Sequence, residues 1–360
     1  MGILGNMYRQ LAAWDKKGIL SDRVALAVQF MKDRKAYEFN KHWIEHNKSL
    51  GKDHPDKVFH VVRKYPVATG LLSCYLSALG QLEELSPKLA NENHIPVMDA
   101  QTALYDLLHD QGDVAGEKNA WNYYFENFSD YTVEDVATAK HVHFCRGYTV
   151  PAGMVFFDNT RIDKALIQKW TPLHQKYFRL IPSLKQRFDQ SYEQLLSGKR
   201  VLGTMIREGY MSLAYSRDHG DEAYKDHPGI GGHPVQPGLE ELCEDLKERM
   251  VQWNCDYLFV VAETHNTMDY LRQQLGDKVI TTSRIRRRVK DQSVQAYAEA
   301  EKDFPADYTM LKNNEQYLEE IYLLSKCNCI SAGKCSGSIV AALWNAGAYE
   351  EMEIMQRGLY

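Results

Sequence analysis

Short apolar runs alternate with longer amphipathic stretches through the second half of the chain. Residues 201–206 and 257–262 are nearly continuous apolar runs of strand length, which is typical of strands buried on both faces of a parallel sheet. The stretch 239–253 between them carries apolar residues at the spacing of one helical face. Because this alternation continues to residue 345, it predicts a doubly wound α/β domain.

The first half of the chain has a looser version of the same pattern. Residues 58–62 have the composition of a strand, 71–85 that of a helix, and 95–99 that of a short strand in which Pro96 favours a sheet edge. Residues 1 to about 50 carry apolar residues at helical spacing. We therefore predict three parts: an N-terminal helical segment at 1–56, one α/β domain at 57–198, and a second at 199–360.

Two arginines directly follow predicted strands. Arg207 comes after the run at 201–206, and Arg63 comes after the run at 58–62. Open α/β sheets bind ligands beyond the carboxyl ends of their strands, and an arginine there offers paired donors to a phosphate. The alternative is an ordinary strand–helix unit in which Arg207 pairs with a surface carboxylate.

The sequence Ser336-Gly337-Ser338 opens a predicted helix after the apolar run that ends near residue 331. Backbone N–H groups in the first turn of a helix have no partner within the helix, so they form a natural phosphate site. The alternative interpretation is a plain capped helix.

Composition and charge narrow the class of protein. The chain has 360 residues, of which 44% are hydrophobic and 25% charged, and its formal net charge is −5. Such a balance is typical of a globular protein of two domains. Proteins that bind nucleic acid or membrane surfaces through a general basic field are usually basic, so we expect no nucleic-acid partner.

The seven cysteines are odd in number and irregular in spacing, which disfavours a disulfide framework. Cys327, Cys329 and Cys335 lie close in sequence, but their spacing is not that of a zinc knuckle, and a structural role is favoured. No run of 18 apolar residues is present, so we expect no transmembrane segment. A cytoplasmic protein is predicted.

Three further segments have both a chemical and a plain structural interpretation. His141 and His143 share a face and are metal candidates, although a structural pair is favoured because no third ligand is evident. The aromatic stretch 119–128 suits an acceptor-sugar groove, with packing beneath a loop as the favoured alternative. The arginines of 284–288 suggest phosphate or nucleic acid, but a solvated loop or the rim of a basic cleft is favoured.

Four motifs, taken in order, resemble those of the GDP-fucose-dependent fucosyltransferases. They are IREGY at 206–210, HPVQP at 233–237, VVAETH at 260–265 and SGS at 336–338. The group includes α-1,6-fucosyltransferases and, more distantly, protein O-fucosyltransferases. The resemblance covers about 200–347 and, more faintly, 58–146.

This resemblance implies the GT-B arrangement, in which two Rossmann-like domains face a cleft, here with an N-terminal helical extension. It implies an inverting transfer of fucose from GDP-fucose to a glycan hydroxyl. Arg207 matches the arginine that grips the GDP phosphates, and Glu222 matches the carboxylate that acts as base. Glu208 and Asp218 are alternatives for the base.

The resemblance and the strand-end positions together predict the nucleotide-sugar site. Its residues are Arg63, Arg207, Glu208, His233, Glu263, His265, Ser336, Gly337 and Ser338. The chain departs from the family at Glu208-Gly209-Tyr210, where a second Arg or a Thr-Asp is common, and at His265, near which an aspartate is expected.

We expect no metal and no further cofactor, because no Asp-x-Asp motif is present and arginines can offset the charge of the leaving diphosphate. The expected partners are a GDP-sugar donor, a glycan or saccharide acceptor and, through the N-terminal helices, a second copy of the chain. Two alternatives stay open. One is a transferase that uses a different nucleotide sugar, and the other is a non-catalytic nucleotide- or glycan-binding protein.

Overall fold

The computed structural model describes most of the chain from residue 45 onward. The described residues are 45–63, 70–101, 116–147, 149, 151, 154, 160–207, 234–290, 296, 299–300, 302, 304–305 and 307–358. The predicted N-terminal helices before residue 45 lie outside them. Within the described part, no helix is long and apolar enough to cross a membrane.

The first sheet has four strands in the order β1-β4-β2-β3. The strands are β1 His46–Lys48, β2 Val58–Arg63, β3 His94–Asp99 and β4 Val142–Phe144. β2 pairs in parallel with β3 and β4, whereas β1 pairs antiparallel with β4. β3 lies at the sheet edge, as Pro96 predicts. Around this sheet lie α1 Leu71–Leu85, a 3-10 turn at Ala120–Tyr123 and α2 Val133–Thr138.

The second sheet has five strands, all parallel, in the order β7-β6-β5-β8-β9. The strands are β5 Val201–Met205, β6 Tyr257–Val261, β7 Val279–Ile280, β8 Cys329–Gly333 and β9 Glu351–Met355. The helices of the second half are α5 Leu239–Gln252, α6 His265–Leu275, α7 Met310–Leu324 and α8 Ser336–Asn345. The predicted doubly wound pattern between 200 and 345 is confirmed.

The central strands of this sheet are buried along their whole length, which explains their continuous apolar sequence. Every residue of β5 and of β8 is buried. A side chain at Gly203 of β5 would collide with Leu324 of α7 and approach the Cys327 sulfur to 3.0 Å. Glycine therefore lets α7 pack directly on the strand.

The two sheets share one hydrophobic cluster. It is joined by two linking helices, α3 Lys164–Tyr177 and α4 Pro182–Leu195. Helix α8 of the second half packs against α1 and α3 of the first half. The indole N–H of Trp344 in α8 also donates to the Tyr75 hydroxyl of α1, at 3.0 Å. The chain passes between the halves at Gly198, which has a left-handed φ of 73°. The predicted boundary at 198 stays a prediction.

One element differs from the prediction at the amino end. Residues 46–48 form a short edge strand, although the sequence pattern predicted a helical segment over this part of 1–56. Pairing with β4 decides the structure here, and His46 stacks on Phe144 with ring centroids 4.8 Å apart. The prediction was wrong at this strand because a three-residue polar strand has no recognisable period of its own.

The aromatic stretch 119–128 belongs to the core. Trp121, Tyr124 and Phe125 are fully buried, and Phe128 is nearly so. The acceptor-groove interpretation is therefore wrong for these four side chains, and the packing interpretation is confirmed. All seven cysteines are free and buried, in agreement with a structural role for Cys327, Cys329 and Cys335.

Candidate functional site

The strand order of the second sheet defines a crevice. β5 is the first strand of this half, β6 and β7 are added on one side of it, and β8 and β9 on the other. The order in which strands are added therefore reverses at the neighbouring strands β5 and β8, because the chain crosses from β7 on one side of β5 to β8 on the other. Ligands of open α/β sheets bind beyond the carboxyl ends of the strands at such a switch point. Arg207 follows β5 and Ser336 follows β8, so both lie at this crevice.

Arg207 forms an ion pair with Glu263 at the carboxyl edge of the sheet. Glu263 follows β6, and it meets Arg207 because β5 and β6 pair in register through Met205 and Val261. The side chains are 22% and 12% exposed, respectively. The second carboxylate oxygen of Glu263, Oε2, is buried and has no hydrogen-bond partner among the described residues. The arginine predicted to grip phosphate therefore faces a carboxylate that has an unpaired oxygen.

The backbone directly after Glu263 is held by two hydrogen bonds with Arg287. The Arg287 N–H donates to the Glu263 carbonyl at 3.2 Å, and the His265 N–H donates to the Arg287 carbonyl at 2.7 Å. Thr264 caps α6 by accepting from the Thr267 N–H at 3.3 Å. His265 is the first residue of that helix. Burial lowers the pKa of His265, and the nearby Arg288 and Arg286 lower it further, so the ring is favoured in its neutral form.

The turn before α8 uses one of its two serines internally. The Ser338 side chain accepts from the Cys335 N–H at 3.1 Å and lies 2.7 Å from the Gly333 carbonyl, which it reaches as a donor. Ser338 is fully buried, whereas Ser336 is half-buried at the first helical position. The structure thus separates two serines that the sequence pattern treated alike. Their role in nucleotide binding stays a prediction.

Gly337 brings the start of α8 against β5. A side chain at this position would collide with the Met205 sulfur and the Tyr317 hydroxyl oxygen. Glycine allows this close approach without displacing Met205 or Tyr317, and it places the first turn of α8 beside the strand that precedes Arg207. Gly337 therefore shapes the crevice through its lack of a side chain.

Two arginines of the cluster at 284–288, Arg284 and Arg286, do not lie on the solvated rim that the sequence favoured, whereas Arg288 is exposed. The side chains of Arg284 and Arg286 are 10% and 3% exposed, and both pair with Glu320 of α7, which is fully buried. Arg284 Nη1 lies 2.9 Å from Glu320 Oε2, and the Thr282 hydroxyl donates to Oε1 at 2.8 Å. The prediction was wrong because the partner carboxylate belongs to a distant helix.

Arg286 also fastens the end of β6. Its guanidinium donates to the carbonyls of Ala262 at 3.2 Å and of Thr282 at 3.3 Å. Burial opposes the charge of Arg284, but Glu320 outweighs that effect and raises the pKa of Arg284. Arg284, Arg286 and Glu320 thus form a charged interior network, which fixes the segments after β6 and β7.

Tyr317, Glu320 and Lys334 were missed by the sequence analysis. The Arg284 guanidinium lies 4.9 Å from the centre of the Tyr317 ring, and burial raises the pKa of Tyr317. Lys334 is buried, and its ammonium donates to the Thr160 carbonyl at 3.1 Å. A charged residue on the apolar face of 317–325 was the available signal for Glu320, since a charge there requires an interior partner.

The first sheet carries its own polar edge. Arg63 ends β2, donates from Nε to the Cys145 carbonyl at 3.1 Å, and stands 5.0 Å from the centre of the Phe144 ring. Asp99 ends the neighbouring strand β3 in register with Arg63. Burial lowers the pKa of Arg63 and raises that of Asp99. Arg63 is therefore placed at the carboxyl edge, as predicted, with a half-buried carboxyl beside it.

One segment of the first half contacts both the end of β3 and a helix of the second half. Asn119 binds the end of β3, because its side chain donates to the Met98 carbonyl at 2.7 Å and accepts from the Ala100 N–H at 3.0 Å. A few residues on, the Tyr124 hydroxyl accepts from Asn314 of α7 at 3.2 Å. The segment 116–124 thus connects the edge that carries Asp99 with the helix beside the second crevice.

Three predicted site residues, Glu208, Glu222 and His233, lie outside the described residues, as does the alternative base Asp218. Across the described ranges, no three His, Cys, Asp or Glu side chains are grouped so that they could hold a metal ion. His143, one of the two metal candidates, instead places its Nδ1 2.9 Å from the Asn47 side-chain oxygen. A structural role for His143 is therefore supported.

The fold and the site together describe an α/β protein with a switch-point crevice and an arginine at its edge. Solved structures similar to this chain include NodZ alpha-1,6-fucosyltransferase soaked with GDP-fucose. That comparison has 15% sequence identity and a TM-score of 0.42, over 80% of this chain and 92% of the other. Fucosyltransferase NodZ from Bradyrhizobium also matches, with 15% identity, a TM-score of 0.38, and 81% and 92% of the two chains covered.

POFUT1 in complex with GDP-fucose is a third match. It has 10% identity and a TM-score of 0.35, over 85% of this chain and 75% of that one. Fucosyltransferases, which the sequence motifs resemble, are thus also found among the similar structures. The sequence identities and TM-scores are too low to assign the role of any residue in this chain. No protein-family model matches the sequence. No curated protein matches it either.

Proposed function

We propose that the protein is a glycosyltransferase that moves a sugar from a GDP-sugar, with GDP-fucose as the first candidate, to a glycan hydroxyl. The observation that carries this proposal is the pair of anion-binding features at one crevice. Arg207 ends β5, and the first turn of α8 opens beyond β8, with Gly337 packed against Met205 between them. The choice of GDP-fucose rests on the order of the sequence motifs.

The proposed chemistry is electrostatic. A guanidinium and the N-terminal end of a helix both favour the negative charge that develops on a departing diphosphate. In the proposed mechanism Arg207 and α8 supply that stabilisation, so that no metal is required. A carboxylate removes the proton from the acceptor hydroxyl, and a direct attack inverts the configuration of the transferred sugar. Glu222 remains the proposed base, with Glu208 and Asp218 as alternatives.

The proposal extends to the surroundings of the enzyme. The buried, free state of all seven cysteines supports a reducing compartment, and we propose the cytoplasm. A saccharide acceptor and a homodimer through the N-terminal segment complete it.

A second candidate is a non-catalytic protein that binds a nucleotide or a glycan. The observation in its favour is His265 at the start of α6, where the family resemblance predicts an aspartate. The Arg207–Glu263 pair also gives the arginine a carboxylate partner before any ligand arrives. Turnover separates the two candidates, since both bind GDP but only the enzyme releases it from GDP-fucose.

The deciding experiment is a thermal-shift panel of GDP, UDP, CMP, dTDP and ADP without metal, followed by a GDP-release assay with GDP-fucose and mixed glycan acceptors. A ligand that binds the native state raises its stability by mass action. Selective stabilisation by GDP together with turnover is the expected result. Stabilisation by another nucleotide alone would replace the donor, and a lack of response to every nucleotide would refute the proposed function.

A further inference from the structure

The unpaired oxygen of Glu263 is the starting observation. Glu263 Oε1 contacts Arg207, while Oε2 is buried and has no hydrogen-bond partner in the described part of the chain. A buried carboxylate oxygen without a donor costs free energy, so such an atom calls for an explanation, and a bound ligand that donates a hydrogen bond is one. A carboxylate accepts hydrogen bonds only, and its missing partner must therefore be an O–H or N–H group.

The position of Glu263 in the sheet narrows the choice of donor. β6 is the second strand of the doubly wound half, and Glu263 lies just beyond its carboxyl end, beside the first strand. In dinucleotide-binding folds of this topology, an acidic residue after the second strand accepts hydrogen bonds from ribose hydroxyls. The same carboxylate here contacts Arg207, the proposed phosphate ligand. Ribose is the part of a nucleotide next to its phosphates.

The carboxylate is also fixed before a ligand arrives. The backbone directly after Glu263 forms two hydrogen bonds with Arg287, and the Ala262 carbonyl that precedes Glu263 accepts from Arg286 at 3.2 Å. Thr264 begins α6 directly after it. A side chain held on such a rigid base loses little entropy on binding, which is the arrangement that recognises a hydroxyl well.

We propose that Glu263 recognises the ribose of the bound nucleotide. In this proposal Oε1 contacts Arg207, which binds the diphosphate, while Oε2 accepts a hydrogen bond from a ribose hydroxyl. This inference rests on the proposed nucleotide-sugar function and adds a preference for ribonucleotides over deoxyribonucleotides. Because a single carboxylate joins both contacts, it sets the distance between the phosphate and ribose positions.

The test measures binding of GDP, 2′-deoxy-GDP and 3′-deoxy-GDP by calorimetry to the wild type, Glu263→Gln and Glu353→Gln. Glu353 is the matched control, since it is also a glutamate paired with an arginine of this domain, Arg249, at 2.8 Å. A hydrogen bond to a charged acceptor predicts that the wild type binds GDP about 10-fold or more tightly than at least one deoxy analogue. Glu263→Gln should reduce that ratio to about 3-fold or less, because its oxygen is neutral. Glu353→Gln should keep it.

The outcomes separate this inference from the proposed function. Equal affinity of the wild type for GDP and for both deoxy analogues would overturn the ribose role and leave GDP binding intact. If GDP-fucose gains affinity over GDP and only that gain disappears in Glu263→Gln, the carboxylate holds the transferred sugar instead. Failure of GDP and UDP alike to bind would overturn both proposals. The wild-type ratio needs no variant, so poor folding of Glu263→Gln would not hide the answer.

Discussion

Two arginine–glutamate groups lie at the carboxyl edge of the second sheet and differ in how fully their carboxylate oxygens are paired. In the group of Glu320, both carboxylate oxygens have donors, from Arg284, Arg286 and Thr282. In the group of Glu263, one oxygen contacts Arg207 and the other has no described partner. Glu320 is fully buried, whereas the Arg207 and Glu263 side chains are 22% and 12% exposed.

This difference indicates different uses of the same residue types. A buried charge must be paired within the protein, since nothing else reaches it, so the Glu320 group holds elements together. A group that is partly exposed and incompletely paired can exchange a protein contact for a ligand contact. The local sequence does not distinguish the two cases, because Arg207 and Arg284 both lie a few residues after a strand of this sheet.

The largest expected effect on stability comes from a mutation in the group of Glu320, in which both carboxylate oxygens have donors. Glu320→Gln removes the charge that two buried arginines require, so we expect the free energy of unfolding to fall by about 3–5 kcal/mol. Urea denaturation measures it. The control is Glu315→Gln on the same helix, whose partner Arg187 is 49% exposed and whose loss should cost about 1 kcal/mol or less. Equal costs for both variants would remove the distinction between the two groups.

The group of Glu263, in which one carboxylate oxygen has no described partner, should respond to mutation mainly through ligand affinity. Arg207→Ala removes charge-assisted bonds to the diphosphate, so we expect GDP affinity to fall about 10- to 100-fold. The free energy of unfolding should fall by about 1–3 kcal/mol, because the largely buried Glu263 loses its arginine partner. Calorimetry and urea denaturation measure the two quantities. Arg249→Ala, which removes the pair with Glu353, should leave GDP affinity unchanged. Wild-type affinity in Arg207→Ala would refute the phosphate role.

Much of the frame that positions these groups follows from the sequence. Continuous apolar runs identify β5 and β6, and the end of the first run places Arg207 at the sheet edge. The pairing of Arg207 with Glu263 also needs the register of β5 against β6, which depends on tertiary packing. The burial of Arg284 was not predictable from its own segment, because Glu320 lies 36 residues away on another element.

Two smaller features, strand β1 and the inward direction of Ser338, could not be predicted from the local sequence. The polar residues of β1 have no period, and only their pairing with β4 makes them a strand. Ser336 and Ser338 are two positions apart in one motif, and only the backbone turn decides that Ser338 points inward. Sequence patterns give the surface on which a residue lies, but the direction of a hydroxyl in a cap depends on the turn itself.

A buried histidine that has no carboxylate partner should make the stability of the folded protein sensitive to acid. His174 is buried, its Nδ1 is hydrogen-bonded to the Tyr75 hydroxyl, and burial lowers the pKa of His174 from 6.5 to about 3. The unfolded chain therefore binds a proton below pH 6.5 that the folded protein refuses until about pH 3. Stability is complete above pH 6.5 and falls as the pH drops, by about 2 kcal/mol at pH 5 from this residue.

His174→Gln removes the titrating ring from that site. The loss of stability between pH 7 and pH 5, measured by urea denaturation, should shrink by about 2 kcal/mol relative to the wild type. Between pH 7 and pH 8 the two proteins should change alike, since the ring is neutral in both states there. An unchanged acid loss would mean that His174 gains its proton without cost, and that a carboxylate is not needed for a buried charge at this position.

The smallest expected effects divide the two serines of α8 in the same way as the two glutamates. Ser338→Ala leaves the Cys335 N–H and the Gly333 carbonyl without this partner in a buried turn, so the free energy of unfolding should fall by about 1–2 kcal/mol. Ser336→Ala should change it by less than about 0.5 kcal/mol but weaken GDP binding about 3- to 10-fold, as one lost hydrogen bond predicts. Urea denaturation and calorimetry on both variants measure the division. If Ser338→Ala weakened GDP binding as much as Ser336→Ala and left stability unchanged, the inward hydroxyl would belong to the ligand, and pairing within the protein would no longer separate structural from binding residues at this crevice.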